Sequence, residues 1–245
     1  MPWDFALILL FFATAVPILG RRRIRQLIRT EKTSKSERLT LYCSTAIFQW
    51  LAAAVILWRT SAHGISLASL GLAVPSMELT LTVSVFLAAL ILANQLVSLR
   101  RLALHPESAH GILPQLAAKL FPQDNLERLV FFALVVAVSV CEELIYRGFA
   151  QYVFQDVAGG IVAAGIAGSA ILFAIAHLYQ GKKGLLSTLI VGVLFSSVRA
   201  WTGSLIPPVI AHFTADLTAG FLAPSRLRSA AAAPPESEVR RSQSQ

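Results

Sequence analysis

Long stretches without a charged side chain constrain this chain more than any other feature. Residues 39–58 form a run of twenty uncharged, mostly apolar residues, and residues 79–99 form a run of twenty-one. A helix that crosses the hydrocarbon core of a bilayer needs about 20 such residues. Only 14% of all residues are charged, against roughly 25% in an ordinary soluble domain. We therefore expect a membrane protein, and the composition excludes a soluble globular enzyme.

The apolar stretches predict an all-α fold, a polytopic transmembrane helical bundle of about seven spans. The predicted spans are 3–19, 39–58, 79–99, about 129–155, 161–178, 184–200 and 204–222. We expect residues 1–222 to form a single domain. Residues 223–245 are rich in Ala, Pro, Ser and Arg, a composition typical of a disordered tail.

The basic residues predict the orientation of the bundle. If seven spans begin outside the cell, 18 of the 21 Lys and Arg residues fall on one side, which the positive-inside rule makes the cytoplasm. We therefore expect a multi-pass cell-membrane protein with its N-terminus outside and its tail in the cytoplasm. The net charge of +8 is then explained by contact with anionic membrane lipids. We expect no nucleic-acid partner, because the chain contains no recognised nucleic-acid motif.

Ionisable residues inside the spans cluster in the second half of the chain. Charged groups in hydrocarbon are costly, so each one is a functional-site hypothesis by default. The clustered residues are Glu142, Glu143 and Arg147 in the fourth span, His177 in the fifth, and His212 and Asp216 in the seventh. At a rise of about 1.5 Å per residue, Glu142, His177 and His212 come within about 10 Å of the bilayer midplane. We therefore expect one site built from spans four, five and seven.

The two adjacent glutamates are expected to have different roles. Glu143 and Arg147 are i, i+4 neighbours with the acid on the N-terminal side, which favours an ion pair. Glu142 points about 100° away and lacks that partner, so it is the candidate general base. Phe173 lies one turn before His177 on the same face and is expected to pack rather than to contact substrate. The charged residues of this span could alternatively form a buried ion cluster without chemistry.

Three short motifs carry a resemblance to a known family. They are Glu-Glu-x-x-x-Arg at 142–147, Phe-x-x-x-His at 173–177 and His-x-x-x-Asp at 212–216. In this order, each in its own apolar span, they resemble the motifs of the CPBP family of intramembrane endopeptidases. That family includes the type II CAAX prenyl proteases and bacteriocin-processing or self-immunity proteins. The resemblance covers roughly residues 124–222.

The resemblance implies a peptidase that cuts a membrane-associated protein or peptide, either of the CAAX type or a leader peptide. It implies that Glu142 and His177 activate a water molecule, while His212 and Asp216 serve the oxyanion. It implies no cofactor, and its partners would be membrane lipids and a peptide or lipidated protein substrate. Supporting roles fall to Glu143, Arg147 and Phe173.

Asp216 departs from the pattern, because the family often has Asn at this position. An ionised Asp cannot donate a hydrogen bond to an oxyanion. We therefore expect Asp216 to hold His212 in its tautomer, as the carboxylate of a serine-protease triad holds its histidine.

Other functions remain open from the residues alone. Glu142, His177 and His212 could bind zinc, because two His and one Glu form a known ligand set, although no His-Glu-x-x-His is present. Ser169 with a histidine could form a serine protease, but the small residues around it are equally typical of helix packing. A non-catalytic immunity or scaffold protein would bind a peptide or partner without cutting it.

Overall fold

The structure is a computed structural model that describes residues 1–30, 33–104 and 119–232. Over these residues it is a bundle of seven main helices, which confirms the predicted all-α class. They are α1 (Trp3–Arg29), α2 (Lys35–Ala62), α3 (Met77–Leu104), α4 (Asn125–Val157), α5 (Val162–Ala176), α6 (Gly181–Thr202) and α7 (Ile206–Ala232). A 3-10 turn, Leu178–Gln180, connects α5 to α6.

Most of these helices have the properties of membrane spans. Helices α1, α2, α3, α4 and α6 are each long and apolar enough to cross a bilayer. Helix α5 is also apolar, but its 15 residues extend only about 22 Å, less than a hydrocarbon core of about 30 Å. The chain is therefore a multi-pass membrane protein, and its fifth predicted span is a short helix.

Helix α7 continues beyond residue 222, where the sequence predicts that the tail begins. It reaches Ala232, and its last residues are an alanine run, the residue type with the highest helix propensity. Residues 233–245 lie outside the described residues, so the disordered tail stays a prediction for them.

Helix α4 changes its helical geometry where its charged residues begin. It is α-helical over Asn125–Glu142, π-helical over Glu143–Ala150 and α-helical again over Gln151–Val157. Every residue of the π-helical segment is buried. The main apolar cluster packs around this segment and includes side chains of α1, α2 and α5. Because π-helical turns frequently occur at functional sites, the centre of α4 is a candidate for one.

The start of α4 is held by polar contacts to α2. Asp124 caps the helix by accepting a hydrogen bond from the backbone N–H of Glu127 at 3.0 Å. The Lys35 ammonium, 2.7 Å away, donates to Asp124 and lowers the pKa of that carboxyl. The Glu127 side chain forms a buried two-bond ion pair with Arg38 of α2, at 2.7 and 3.2 Å. The sequence analysis missed this pair, because 89 residues separate its members.

Glycines bring α5 close to α4. A Cβ atom on Gly165 would lie 2.8 Å from the carbonyl oxygen of Gln151, so only glycine fits without moving backbone. Gly159 and Gly160 have a different role, because their φ angles of 70° and 91° form the turn between the helices. The two helices therefore approach closely enough to place the end of α5 beside the π-helical segment.

Candidate active site

Glu143 is the centre of a buried polar cluster that joins α4 to α7. Its Oε1 atom accepts a hydrogen bond from Arg147 Nη1 at 3.0 Å. The same oxygen lies 2.8 Å from Nδ1 of His212. Glu143 and Arg147 are fully buried. The ion pair expected from their spacing is therefore present, and it also fixes the orientation of a histidine from another helix.

Asp216 lies on the other side of the His212 ring, one turn along α7. Its Oδ2 atom is 3.6 Å from Nε2 of His212, too far for a hydrogen bond. The hydrogen bond that selects the tautomer at Nδ1 instead goes to Glu143. The orienting role expected of Asp216 is thus occupied in the structure by Glu143, a residue of the first motif.

His177 is oriented by the end of its own helix. α5 ends at Ala176, and His177 follows as the C-cap residue. The last carbonyl groups of a helix have no partner inside it, and Nδ1 of His177 lies 2.8 Å from the carbonyl oxygen of Phe173. A carbonyl can only accept, so Nδ1 carries the hydrogen in this bond. In the neutral ring, the lone pair is then on Nε2, where it can accept a proton.

The Phe173 ring packs against His177, His212 and Arg147. Its centroid lies 4.5 Å from that of His177 and 6.3 Å from that of His212. The Arg147 guanidinium lies over its face, 4.0 Å from the centroid, a cation–π geometry. Phe173 therefore connects the two histidines through packing and through its backbone carbonyl.

Glu142 lies apart from the Glu143 cluster and contacts α2. Its Oε1 atom accepts a hydrogen bond from Gln49 Nε2 at 2.8 Å. Within the described part of the chain, it makes no hydrogen bond to His177 or His212. Gln49 was not predicted as a site residue, although an amide inside the uncharged run 39–58 indicates a polar contact within the bundle.

A cavity of about 200 Å³ opens beside the two histidines. His177, His212 and Asp216 line it together with residues of α6. Asn94 and Gln95 of α3 also line it. Helix α3 thus adds polar groups to this cavity, beside those of spans four, five and seven from which the sequence predicts the site. Amides in hydrocarbon need hydrogen-bond partners just as charges do.

Two alternative site types find less support in the geometry. Ser169 is buried and donates to the carbonyl oxygen of Tyr146 at 2.8 Å, so its hydroxyl belongs to a helix–helix contact rather than to a Ser–His pair. In the described parts of the chain, no three His, Cys, Asp or Glu side chains gather with the geometry of a metal site. The alternative zinc set of Glu142, His177 and His212 does not meet this geometry among the described residues.

Comparison with known proteins gives a partial match. The model of the family described as type II CAAX prenyl endopeptidase Rce1-like matches residues 124–218. Residues 124–218, called the Rce1-like segment below, are thus similar to this family. This segment contains all three motifs, so the resemblance inferred from them is confirmed for the segment that carries them.

A curated relative matches over a similar fraction of the chain. The uncharacterized protein YpbD of Bacillus subtilis (strain 168) is 27% identical over 100 residues, which is 40% of this chain and 47% of that protein. The chain thus spans about half the length of the curated relative it matches. No solved structure matches the chain.

The Rce1-like segment begins at the capped start of α4 and ends in α7. It therefore includes both histidines, both adjacent glutamates and Asp216. Gln49, Asn94 and Gln95 lie outside it, on α2 and α3. Helices α2 and α3 thus contribute to the site through residues that the family comparison does not cover.

Proposed function

We propose that the protein is an intramembrane endopeptidase that hydrolyses a peptide bond of a membrane-associated substrate with an activated water molecule. One observation carries the proposal: His177, His212 and Asp216 line a single cavity inside an apolar bundle, and Glu143 of the first motif contacts His212. A polar cavity in such surroundings is costly to maintain, which favours a catalytic role over a packing role.

Glu142 and His177 are the groups proposed to activate the water. The Oε2 atom of Glu142 is buried and has no hydrogen-bond partner among the described residues, so it is available to take a proton. His177 presents Nε2 to the cavity, because Phe173 holds Nδ1. The proton passes from the water to one of these groups as its oxygen bonds to the scissile carbonyl carbon.

His212 is proposed to stabilise the oxyanion that this attack creates. With Nδ1 donating to Glu143, a doubly protonated ring has a second N–H, at Nε2, on the side of the cavity and Asp216. A donor that is already oriented when charge develops stabilises a transition state without further reorganisation. Glu143 and Arg147 support this geometry by holding the ring from behind.

The proposed substrate is a CAAX-type protein or a leader peptide, approached from the membrane or its cytoplasmic face. The proposed orientation places the N-terminus outside and the C-terminus inside the cell. It is supported by the contacts at one end of the bundle, where Lys119 donates to the carbonyl oxygens of Leu27 and Ile28 at 2.8 and 2.7 Å. These contacts bring two basic segments of the chain to the same end.

The test is cleavage by purified, detergent-solubilised protein of three peptides: one ending in farnesylated Cys-a-a-X, its unmodified form and a leader peptide. Glu142→Ala and His177→Ala are compared with wild type and with Glu78→Ala, which removes an exposed glutamate at the start of α3. Each protein is assayed with and without a strong chelator. We expect Glu142→Ala and His177→Ala to lose at least 100-fold in kcat/KM, and Glu78→Ala to match wild type.

Three results would contradict the proposal. If Glu142→Ala cleaved the peptides as fast as wild type, Glu142 would not be the general base. Loss of activity on chelation, restored by zinc, would favour a metal-dependent protease. Binding of the peptides without cleavage by the wild type would favour the immunity or scaffold alternative.

A further inference from the structure

Helix α2 places one buried amide against the proposed general base. Gln49 is 7% exposed, and its Nε2 donates to Glu142 Oε1 at 2.8 Å. It lies near the middle of α2, in a run of twenty uncharged residues. A buried amide costs free energy unless it is hydrogen-bonded. The contact with Glu142 offsets that cost for Nε2, whereas Oε1 of Gln49 has no hydrogen-bond partner among the described residues.

Because of this contact, the two oxygens of the Glu142 carboxylate have different surroundings. Oε1 accepts from Gln49, whereas Oε2 is buried without a partner among the described residues. A carboxylate without a bound donor rotates about its last torsion, which is broad. One donor on Oε1 stops that rotation and fixes the direction of the lone pairs on Oε2. The group that must take a proton is thereby oriented before substrate arrives.

The chemical nature of the donor distinguishes Glu142 from its neighbour. Glu143 is paired with a guanidinium and a histidine, so its charge has partners that compensate it. An amide is neutral, so Gln49 orients Glu142 without compensating its charge. The adjacent carboxylates therefore have different partners that suit different tasks.

We propose that Gln49 is a positioning residue for Glu142, supplied by a helix outside the Rce1-like segment. In the reacting step, a water O–H bond breaks and its proton goes to Glu142 Oε2. The water oxygen forms its bond to the scissile carbonyl carbon, and the carbonyl π electrons move to the oxyanion. Gln49 keeps its N–H on Oε1 throughout and exchanges no proton. The inference rests on the proposed function, in which Glu142 is the general base.

The test compares two substitutions at Gln49 with a matched control. Gln49→Leu removes the donor at similar volume, and Gln49→Asn keeps an amide that is one methylene shorter. The control is Gln151→Leu: Gln151 is also a buried glutamine with one hydrogen bond, from its Nε2 to the Ser196 carbonyl oxygen at 3.0 Å, and it does not contact Glu142. The farnesylated Cys-a-a-X peptide is the probe, and thermal unfolding is recorded for each variant.

We expect Gln49→Leu to lower kcat by about 10- to 100-fold, the range typical for partners that orient a reacting group, with KM within about threefold of wild type. Gln49→Asn should lose less, and Gln151→Leu should keep the wild-type kcat. A wild-type kcat in Gln49→Leu would overturn the inference while Glu142→Ala still tests the proposed function separately. Equal losses of kcat in Gln49→Leu and Gln151→Leu would overturn it too, because the effect would then be structural.

A second measurement does not depend on cleavage. The infrared carboxyl bands of Glu142 are assigned from the difference between wild type and Glu142→Gln. Loss of the hydrogen bond to Oε1 should shift these bands in Gln49→Leu and leave them in place in Gln151→Leu. Unshifted bands in Gln49→Leu would overturn the inference even if no peptide of the panel is cut.

Discussion

At the scale of single residues, the spacing of charged groups predicts their local partners but not their distant ones. The Glu143–Arg147 pair follows from an i, i+4 relation on one helix, and the structure contains it at 3.0 Å. The contact of Glu143 with His212 joins residues 69 positions apart, a separation on which helical periodicity has no bearing. The same applies to Gln49 and Glu142, which are 93 positions apart.

Asp216 is the residue whose proposed role depends most on these distant contacts. Because Glu143 already holds Nδ1 of His212, a carboxylate at 216 is not needed to select the tautomer. We expect Asp216→Asn to keep kcat/KM within about tenfold of wild type, since an amide can donate to an oxyanion. Asp216 can donate to the oxyanion only in its protonated form, and Asp216→Leu, which has no donor, should lose about 100- to 1000-fold, as when an oxyanion donor is removed. Peptide cleavage by the two variants measures the difference.

An equal loss in Asp216→Asn and Asp216→Leu would show that the negative charge itself is required. That result would favour the role predicted from the sequence, in which the Asp216 carboxylate holds His212 in its tautomer.

At the scale of helices, the positions of apolar runs predict the elements well and their internal geometry poorly. The spans predicted from composition lie within the helices of the structure, apart from residues at their ends such as His177, which follows α5. The π-helical segment of α4 was not predicted, because its eight residues have no distinctive composition. Its geometry results from how neighbouring helices pack around it.

The approach of α5 to α4 gives a prediction at this scale. Gly165→Ala puts a methyl group 2.8 Å from the carbonyl oxygen of Gln151, and neither backbone can move freely. We expect the free energy of unfolding to fall by about 1–3 kcal/mol. Gly20→Ala in α1 is the control, because a Cβ there has no atom within 4 Å. It should raise stability slightly, since alanine is the better helix former.

Unfolding in mixed micelles, followed by circular dichroism, measures both glycine variants. If Gly165→Ala proved as stable as Gly20→Ala, the close contact between α4 and α5 would not exist at the distance described.

At the scale of the whole molecule, the two ends of the bundle differ: one is basic, and the other is covered by a connection between helices. Basic segments gather at the end where α1 finishes and α4 begins. The opposite end is covered by the connection between α2 and α3, where Gly71 accepts a hydrogen bond from the backbone N–H of Leu205 at 2.8 Å. The positive-inside rule predicts that this basic end faces the cytoplasm.

This orientation is tested by cysteine labelling in intact cells. In a background with Cys43→Ser and Cys141→Ser, Ser66→Cys lies in the α2–α3 connection and Lys182→Cys at the start of α6, both at exposed positions. We expect a membrane-impermeant maleimide to label Ser66→Cys in intact cells and Lys182→Cys only after permeabilisation. The opposite pattern would place the basic end outside and refute the proposed orientation.

The sequence by itself determined that the chain lies in a membrane, that it is built from helices, and which titratable residues could form a site. Each of these depends on composition and local periodicity, because a bilayer requires backbone hydrogen bonds to be satisfied within a segment. Only the tertiary structure decided the partners: Glu143 with His212, and Gln49 with Glu142. Side-chain hydrogen bonds between helices depend on rotation, tilt and close approach to within fractions of an ångström. Those quantities are set by the packing of the whole bundle, including small contacts such as Gly165 against Gln151.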